Sequence, residues 1–406
     1  MQNNSVYIIL KAVVIHHTLN SPGGESSFAI ETIHSLSKLG YDIELVTVQK
    51  PNLERISKTY GKELLVKNVR FISPFKMNYF GIYQRLLTVI SSLNLKPSDI
   101  VINTNGNNLP FNIPQNILCI LYIHFPALLL TSVDYNNNKY QKSFFWKAYF
   151  KPYQIMSHLL TKKALKRANI VLTNSIFSKN AIQKIYPSVD PQVIYPPIDI
   201  ERFSNCLNSN SRENQVLVIA RFSPEKQIEK AVLIAKLLKN INFKIIGSLL
   251  KVNQPYFNHI QQMIKDYGLK DKIQLIPNAT KDEMMNAMST SMVYLHTMSG
   301  EHFGISIVEA MAAGLIPIVP TYGGCSEIVP TEYQYTTIQD AADCIYKNID
   351  HYDSTKRQFV YEIAKQFSPE NFRRNLKYFI EQAYTTSNNS DSTSQKTKNM
   401  MNRLSV

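Results

Sequence analysis

Cysteine is scarce. The 406 residues hold four, Cys119, Cys206, Cys325 and Cys344, none in CxxC spacing. That excludes a disulfide framework and a zinc signature. No GxGxxG run is present, so a dinucleotide-binding fingerprint is excluded as well. The apolar N-terminal run is interrupted by Lys11 and His16-His17, and a secretory signal is not expected. Only Ile117–Val133 approaches membrane-span length, and it contains His124 and Pro126. We read it as a buried strand entering a loop. What is present is core-forming material: 44% hydrophobic and 18% charged residues, enough for two or three domains.

Charge is unevenly spread. The net formal charge is +14, and residues 1–197 hold 21 basic against 9 acidic side chains. A basic front and a nearly neutral back imply two bodies with different partners, the front one meeting something anionic.

Apolar runs of strand length alternate with helical spacing along the chain. Strands are expected at 6–15, 43–48, 69–72, 99–103, 117–123, 170–173 and 193–195. The polar stretch 205–214 reads as a linker. Alternation then restarts with strands at 216–220, 243–247, 273–276, 292–296 and 316–319. Helices are expected between them at 225–239, 256–267, 281–289 and 304–313. Such βα alternation predicts parallel sheets covered on both faces. The expected architecture is α/β, two doubly wound domains facing each other across a cleft. Residues 1–197 form the first domain, 198–214 a linker, 215–368 the second, 369–384 a last helix, and 385–406 a fraying tail.

Four pieces carry chemistry. In Ser299-Gly300-Glu301-His302-Phe303-Gly304-Ile305, a strand ends near His296 and a helix opens near Gly304. The N–H groups of Phe303, Gly304 and Ile305 would stand unpaired at a positive helix end, which suits a phosphate. Glu301 is then placed to accept from sugar hydroxyls, and Glu309, about 7 Å further along the helix axis, from a ribose diol. An amphipathic core helix with two solvated glutamates would show the same pattern. In Ala220-Arg221-Phe222-Ser223-Pro224-Glu225-Lys226, a strand end places Arg221 and Lys226 to reach one diphosphate. Two solvated surface cations fit that spacing too. The loop Pro22-Gly23-Gly24-Glu25 permits a tight turn against a ligand. In Tyr122-Ile123-His124-Phe125-Pro126 a histidine ends a buried strand, where a structural histidine is the commoner case.

In this order the four pieces resemble the retaining nucleotide-sugar glycosyltransferases of the GT-B fold, family 4, over nearly the whole chain from Val6 to Tyr384. The E-x7-E pair Glu301 and Glu309 is the strongest signature. Thr173-Asn174-Ser175, Ile246-Gly247 and Gly323-Gly324-Cys325-Ser326-Glu327-Ile328-Val329 add to it. Within the family, Glu301-His302-Phe303-Gly304, Tyr122–Pro126 and Val193–Asp199 look most like the α-1,2-mannosyltransferases that extend dolichol-linked oligosaccharides.

The resemblance implies two Rossmann-like domains and a metal-independent hexosyltransferase. It would move a hexose, mannose from GDP-mannose, to a lipid-linked oligosaccharide or other glycan acceptor. A soluble family-4 synthase making a disaccharide or glycoside, or a nucleotide-sugar-binding protein without catalysis, shares these motifs. By resemblance, Arg221 and Lys226 hold the donor diphosphate, Glu301 contacts the transferred sugar and Glu309 the ribose. Gly23 and Gly24 lie beside the diphosphate or acceptor, and His124 lines the reacting centre. Where the family often has a glycine-containing loop beside the base, this chain has Ile276-Pro277-Asn278, so GDP and UDP both stay open. No cofactor or metal is implied, since no DxD pair sits where a cation would be held.

Positions 139–190 contain ten basic residues and one acid, interleaved with Phe144, Phe145, Trp146, Tyr149, Phe150 and Tyr153. Lysines among aromatics describe a segment lying in a membrane interface. Nucleic-acid binding and an ordinary solvated face are the competing readings. The expected location is cytoplasmic, peripheral at the cytosolic membrane face, with no nucleic-acid partner.

Overall fold

The computed structural model describes residues 10–21, 23–74, 81–93, 95, 97–105, 113–126 and 144–388. The chain divides into two compact units, residues 1–197 with 369–406 and residues 198–368.

The first unit is built on seven parallel strands: β1 (Leu10–Ile15), β2 (Tyr41–Val46), β3 (Asn68–Arg70), β4 (Ile100–Asn103), β5 (Leu118–Ile123), β6 (Ile170–Thr173) and β7 (Gln192–Val193). Their order is β3-β2-β1-β4-β5-β6-β7, so β1 pairs with both β2 and β4 and the winding reverses there. Successive side chains of a strand face opposite sides. Accordingly Ala12 and Val14 enter one core with Ile33, Leu36 and Leu45, while Val13 and Ile15 enter the other with Val101, Leu121 and Ile182. Every residue of β5 is buried, as a strand covered on both faces requires. That agrees with a buried strand at 118–123; residues 127–133 of the long apolar run lie outside the described residues.

Helix α1 (Gly24–Lys38) buries Phe28, Ile33 and Leu36, and Gly40, at φ 84°, ends its turn. Helix α2 (Phe144–Arg167) carries the described part of the basic segment. Lys139 and Lys142, and the side chains of Phe145, Trp146 and Lys147, lie outside the described residues.

The second unit holds six parallel strands: β8 (Glu213–Ile219), β9 (Asn242–Gly247), β10 (Ile273–Pro277), β11 (Ser291–Leu295), β12 (Ile316–Pro320) and β13 (Gln334–Tyr335). Their order is β10-β9-β8-β11-β12-β13, with the reversal between β8 and β11. Its helices include α3 (Glu229–Leu237), α4 (Lys281–Thr290), α5 (Ile305–Ala312), α6 (Ile338–Asp350) and α7 (Ser354–Lys365). Thr280 with Glu283 and Thr337 with Asp340 form reciprocal capping boxes that start α4 and α6.

Two expectations need correction. The helix expected over 225–239 is broken: a 3-10 turn covers Pro224–Lys226, Gln227 takes φ 52°, and α3 begins only at Glu229. The expected linker, residues 198–214, falls within the second unit. Residues Ser204–Leu207 form a helical turn of the second unit. Arg212 donates to the carbonyls of Cys206, Met288, Ser291 and Ala313 at 2.5–2.7 Å. Finally α8 (Pro369–Asn388) returns to the first unit, and its Phe372, Leu376, Ile380 and Ala383 complete that core beside α1. It extends four residues past the expected helix end; residues 389–406 lie outside the described residues.

Candidate active site

In open α/β sheets, ligands sit beyond the carboxyl ends of the strands, where the winding reverses. In the second unit that place lies beyond β8 and β11. The break at Gln227 directs Lys226 there, and Thr297 Oγ1 donates to the Lys226 carbonyl at 2.6 Å. Lys226 Nζ lies 2.7 Å from Glu301 Oε2 and 3.3 Å from the Met298 sulfur. Both side chains are largely buried. Glu301 is fixed by its backbone: it bridges Gly323 in parallel, and its carbonyl accepts from Gly324 N–H at 2.7 Å. A Cβ on Gly323 would lie 2.9 Å from the Glu301 backbone, so only glycine lets the two segments meet. Oε1 accepts from the His302 N–H at 3.1 Å. Burial alone would push the Glu301 carboxyl up. Lys226 and then His296 overcome it and hold the group well below the usual carboxylate range.

His296 follows β11 directly and is 4% exposed. Its Nε2 is 3.5 Å from Glu301 Oε2, and its Nδ1 is 3.4 Å from the Tyr294 hydroxyl. Tyr294 and His296 share a strand face because they are two residues apart. Ser306, in the first turn of α5, meets the Tyr294 hydroxyl at 2.8 Å. The site's loop, strand and helix are thereby linked.

At the start of α5, Gly304 has φ 103°. The N–H groups of Gly304 and Ile305 have no backbone acceptor among the described residues. The Phe303 ring is core, packed edge-on against Phe367 with centroids 5.6 Å apart. Glu309 lies in the second turn of α5, and burial raises its carboxyl to about 7, with only Arg202 acting to lower it. Arg221 does not join this cluster. Its side chain is 57% exposed and pairs with Glu225 at 3.3 Å.

In the first unit the corresponding place lies beyond β1, β4 and β5. Gly23 and Gly24 stand exposed at the start of α1. The His124 ring packs edge-on to Phe28 and Tyr122, with centroids 5.3 and 4.8 Å away. Near it lie His16, Glu25 and Arg85, with His17 beside His16; of these the sequence marks only Glu25, at the end of the double-glycine loop. In the sequence His16 and His17 read only as breaks in an apolar run. Their signal, polar residues immediately after a buried strand, is the one that marked His124. His296 likewise reads in the sequence only as a strand end.

Two family models match the chain. "Glycosyltransferase Family 4" covers residues 22–202 and "Glycosyl transferases group 1" covers 199–352. Together they take in most of both units and identify the chain as a glycosyltransferase. Its relatives include the GDP-Man:Man(3)GlcNAc(2)-PP-Dol alpha-1,2-mannosyltransferases of Dictyostelium discoideum and Candida glabrata. The first is 24% identical over 319 residues, covering 68% of this chain and 62% of the relative. The second is 27% identical over 266 residues, covering 59% and 50%. This chain thus spans half to three fifths of those relatives. Among solved structures, Anabaena HepE in complex with UDP superposes with a TM-score of 0.67 at 16% identity, covering 92% of this chain and 100% of that one. The fold is GT-B, as expected from the motifs.

Proposed function

We propose that the protein is a retaining hexosyltransferase that moves mannose from GDP-mannose to a lipid-linked oligosaccharide or other glycan acceptor. The observation that carries the reading is the Lys226–Glu301 pair beside the start of α5, with Glu309 one helical turn deeper. The named activity of the relatives supports mannose and a lipid-linked acceptor.

On this reading the donor diphosphate is bound by Lys226, by Arg221 once it leaves Glu225, and by the Gly304 and Ile305 N–H groups with the peptide of Phe303. Glu301 accepts from hydroxyls of the transferred sugar. Glu309 accepts from the ribose diol. Breaking the bond from anomeric carbon to phosphate puts negative charge on the leaving group. Fixed cations and amides aimed at that charge contribute about 3–4 kcal/mol each. The acceptor hydroxyl attacks from the leaving-group side, and a phosphate oxygen receives its proton. His124, with Gly23 and Gly24, lines the acceptor's approach.

A peripheral position at the cytosolic membrane face completes the reading. Among the described residues no helix is long and apolar enough to cross a membrane. Helix α2 instead presents Phe144, Ala148, Lys151, Ile155 and Leu159 at helical spacing, with Phe144 86% exposed. Phe144, Ala148, Lys151, Pro152, Ile155 and Met156 line a groove of about 700 Å³. Lys162, Lys163 and Lys166 follow on the same helix, which suits anionic headgroups.

A thermal-shift panel of nucleoside diphosphates and nucleotide sugars tests the donor, because a bound ligand raises stability by mass action. GDP and GDP-mannose should give the largest shifts. Stabilisation by UDP-sugars alone would replace the donor assignment, and no shift from any nucleotide would sink the reading.

A further inference from the structure

The second unit buries one imidazole that has no task yet in sugar transfer. The backbone of His296 is held from two sides. Its N–H donates to the Ile318 carbonyl, and its own carbonyl accepts from the Tyr335 hydroxyl, both at 2.8 Å. Its ring lies at 23° to that of Tyr294, with centroids 6.4 Å apart. Nδ1 is 3.4 Å from the Tyr294 hydroxyl, which meets Ser306 Oγ at 2.8 Å. The ring is thus fixed in place. Its Nε2, however, is buried without a hydrogen-bond partner. A buried polar atom left in that state is costly and calls for an explanation.

What Nε2 faces is Glu301 Oε2, 3.5 Å away. An N–H···O hydrogen bond spans about 2.7–3.2 Å, so the two atoms stop just short of one. Lys226 Nζ holds Oε2 instead, at 2.7 Å, while the His302 N–H holds Oε1. A bare nitrogen lone pair would repel a carboxylate. The imidazole proton therefore belongs on Nε2, and Nδ1 is left to accept from Tyr294. Burial lowers His296, so near neutral pH the ring is uncharged. The charged groups that face it are Glu301 from its loop, Lys226 from the 3-10 turn and Lys230 from α3. His296 is a neutral donor aimed at an acceptor that another donor occupies.

The two donors differ in freedom. Lys226 carries a point charge on a flexible stem and can turn to a new anion, whereas the His296 ring stays where its neighbours hold it. When Lys226 turns away, the buried Glu301 carboxylate loses its counterion, which is strongly unfavourable unless another group replaces it. We propose that His296 is the positioning residue that takes over Glu301 when Lys226 leaves it for an anionic ligand. The carboxylate closes on the Nε2–H and stays aimed at its own ligand. No proton changes hands; one hydrogen bond breaks and another forms. On the glycosyl-transfer reading above, on which this last step rests, the anion is the donor diphosphate and Glu301 remains on the transferred sugar.

The test is NMR of the isotope-labelled full chain, following the His296 Nε2–H signal in two settings. In the first no ligand is present, and Lys226→Met removes the ammonium while keeping an apolar stem. Should that variant fail to fold, Lys226→Gln takes its place. In the second the wild type is saturated with GDP or with UDP. In both settings the signal should move downfield, and its exchange with water should slow about tenfold or more, as a new bond to a carboxylate requires. An unmoved signal in the folded Lys226 variant overturns the proposal. So does an unmoved signal in a wild type that a nucleotide has stabilised. Nucleotide-induced stabilisation is read separately. A chain whose Lys226 variant shows the new bond, but which no nucleotide stabilises, loses the transferase reading and keeps the takeover by His296. A chain that nucleotides stabilise while His296 stays silent loses only the takeover.

Discussion

Lys226 Nζ and Glu301 Oε2, 75 residues apart in sequence, meet at 2.7 Å in the second unit. The pair is largely buried, so its two halves are not independent. Removing one partner of a buried pair costs about 3–5 kcal/mol, because the other charge is left uncompensated. Lys226→Ala should lower the midpoint of urea unfolding accordingly and reduce turnover about a hundredfold or more. The double variant Lys226→Ala with Glu301→Gln should regain much of the stability and none of the activity. If the single variant is as stable as the wild type, the buried Lys226–Glu301 pair does not contribute to stability.

Arg221→Ala should separate stability from function. Its pair with Glu225 is mostly exposed, and such pairs contribute about 1 kcal/mol or less. Unfolding should barely change, while turnover should fall about a hundredfold on the diphosphate reading. Unaltered turnover would remove Arg221 from the site and leave Lys226 as its cation.

Glu309 gives a pH signature. Its folded carboxyl is raised to about 7, above its unfolded value. The folded chain therefore binds this proton more tightly, and the contribution is fully present below the unfolded value. It is lost as pH rises through about 7. Glu309→Gln should be more stable than wild type at about pH 8, with the difference closing on acidification. Parallel denaturant titrations across that range measure it. Nucleotide affinity should rise through the same interval, since only the ionised group accepts from two ribose hydroxyls.

Gly323→Ala should disturb the site without touching a charge. Gly323 has φ 134°, and the added carbon would lie 2.9 Å from the Glu301 backbone. We expect about 1–3 kcal/mol of destabilisation from the backbone alone. Nucleotide binding, followed by calorimetry, should weaken as Glu301 shifts. A variant with native affinity would show that the Glu301 segment needs no close approach to Gly323.

Anionic vesicles should bind the protein at low salt and release it at high salt. Each lysine near such a surface is worth about 1 kcal/mol. Replacing Lys162, Lys163 and Lys166 together by alanine should cut co-sedimentation about a hundredfold. Equal binding to neutral and anionic vesicles would leave only the apolar stripe of α2 as a contact.

Most strands were legible because parallel strands buried on both faces are unbroken apolar runs, as at β5 and β12. The misread helix at 225–239 shows where that signal stops. Its apolar spacing is helical, but Gln227 adopts a left-handed conformation that composition does not announce. Residues 205–214 looked like a linker because they are polar. Their order comes from Arg212, whose guanidinium binds the nearby Cys206 carbonyl and three from distant segments, those of Met288, Ser291 and Ala313. Glu301 and Lys226 were each visible as motif residues, whereas His296, His16 and His17 were hidden at strand ends. Long-range pairing, not local pattern, assembled those clusters.

The return of α8 to the first unit sets an order of assembly. A ribosome releases residues 198–368 as one contiguous stretch, so the second unit can finish folding while the first still lacks Phe372, Leu376, Ile380 and Ala383. The first-made half of the chain is thus the last to close, and until then it exposes an apolar seam along α1. A premature stop before Pro369 would leave that seam open permanently, producing a species prone to chaperone capture rather than a shortened enzyme.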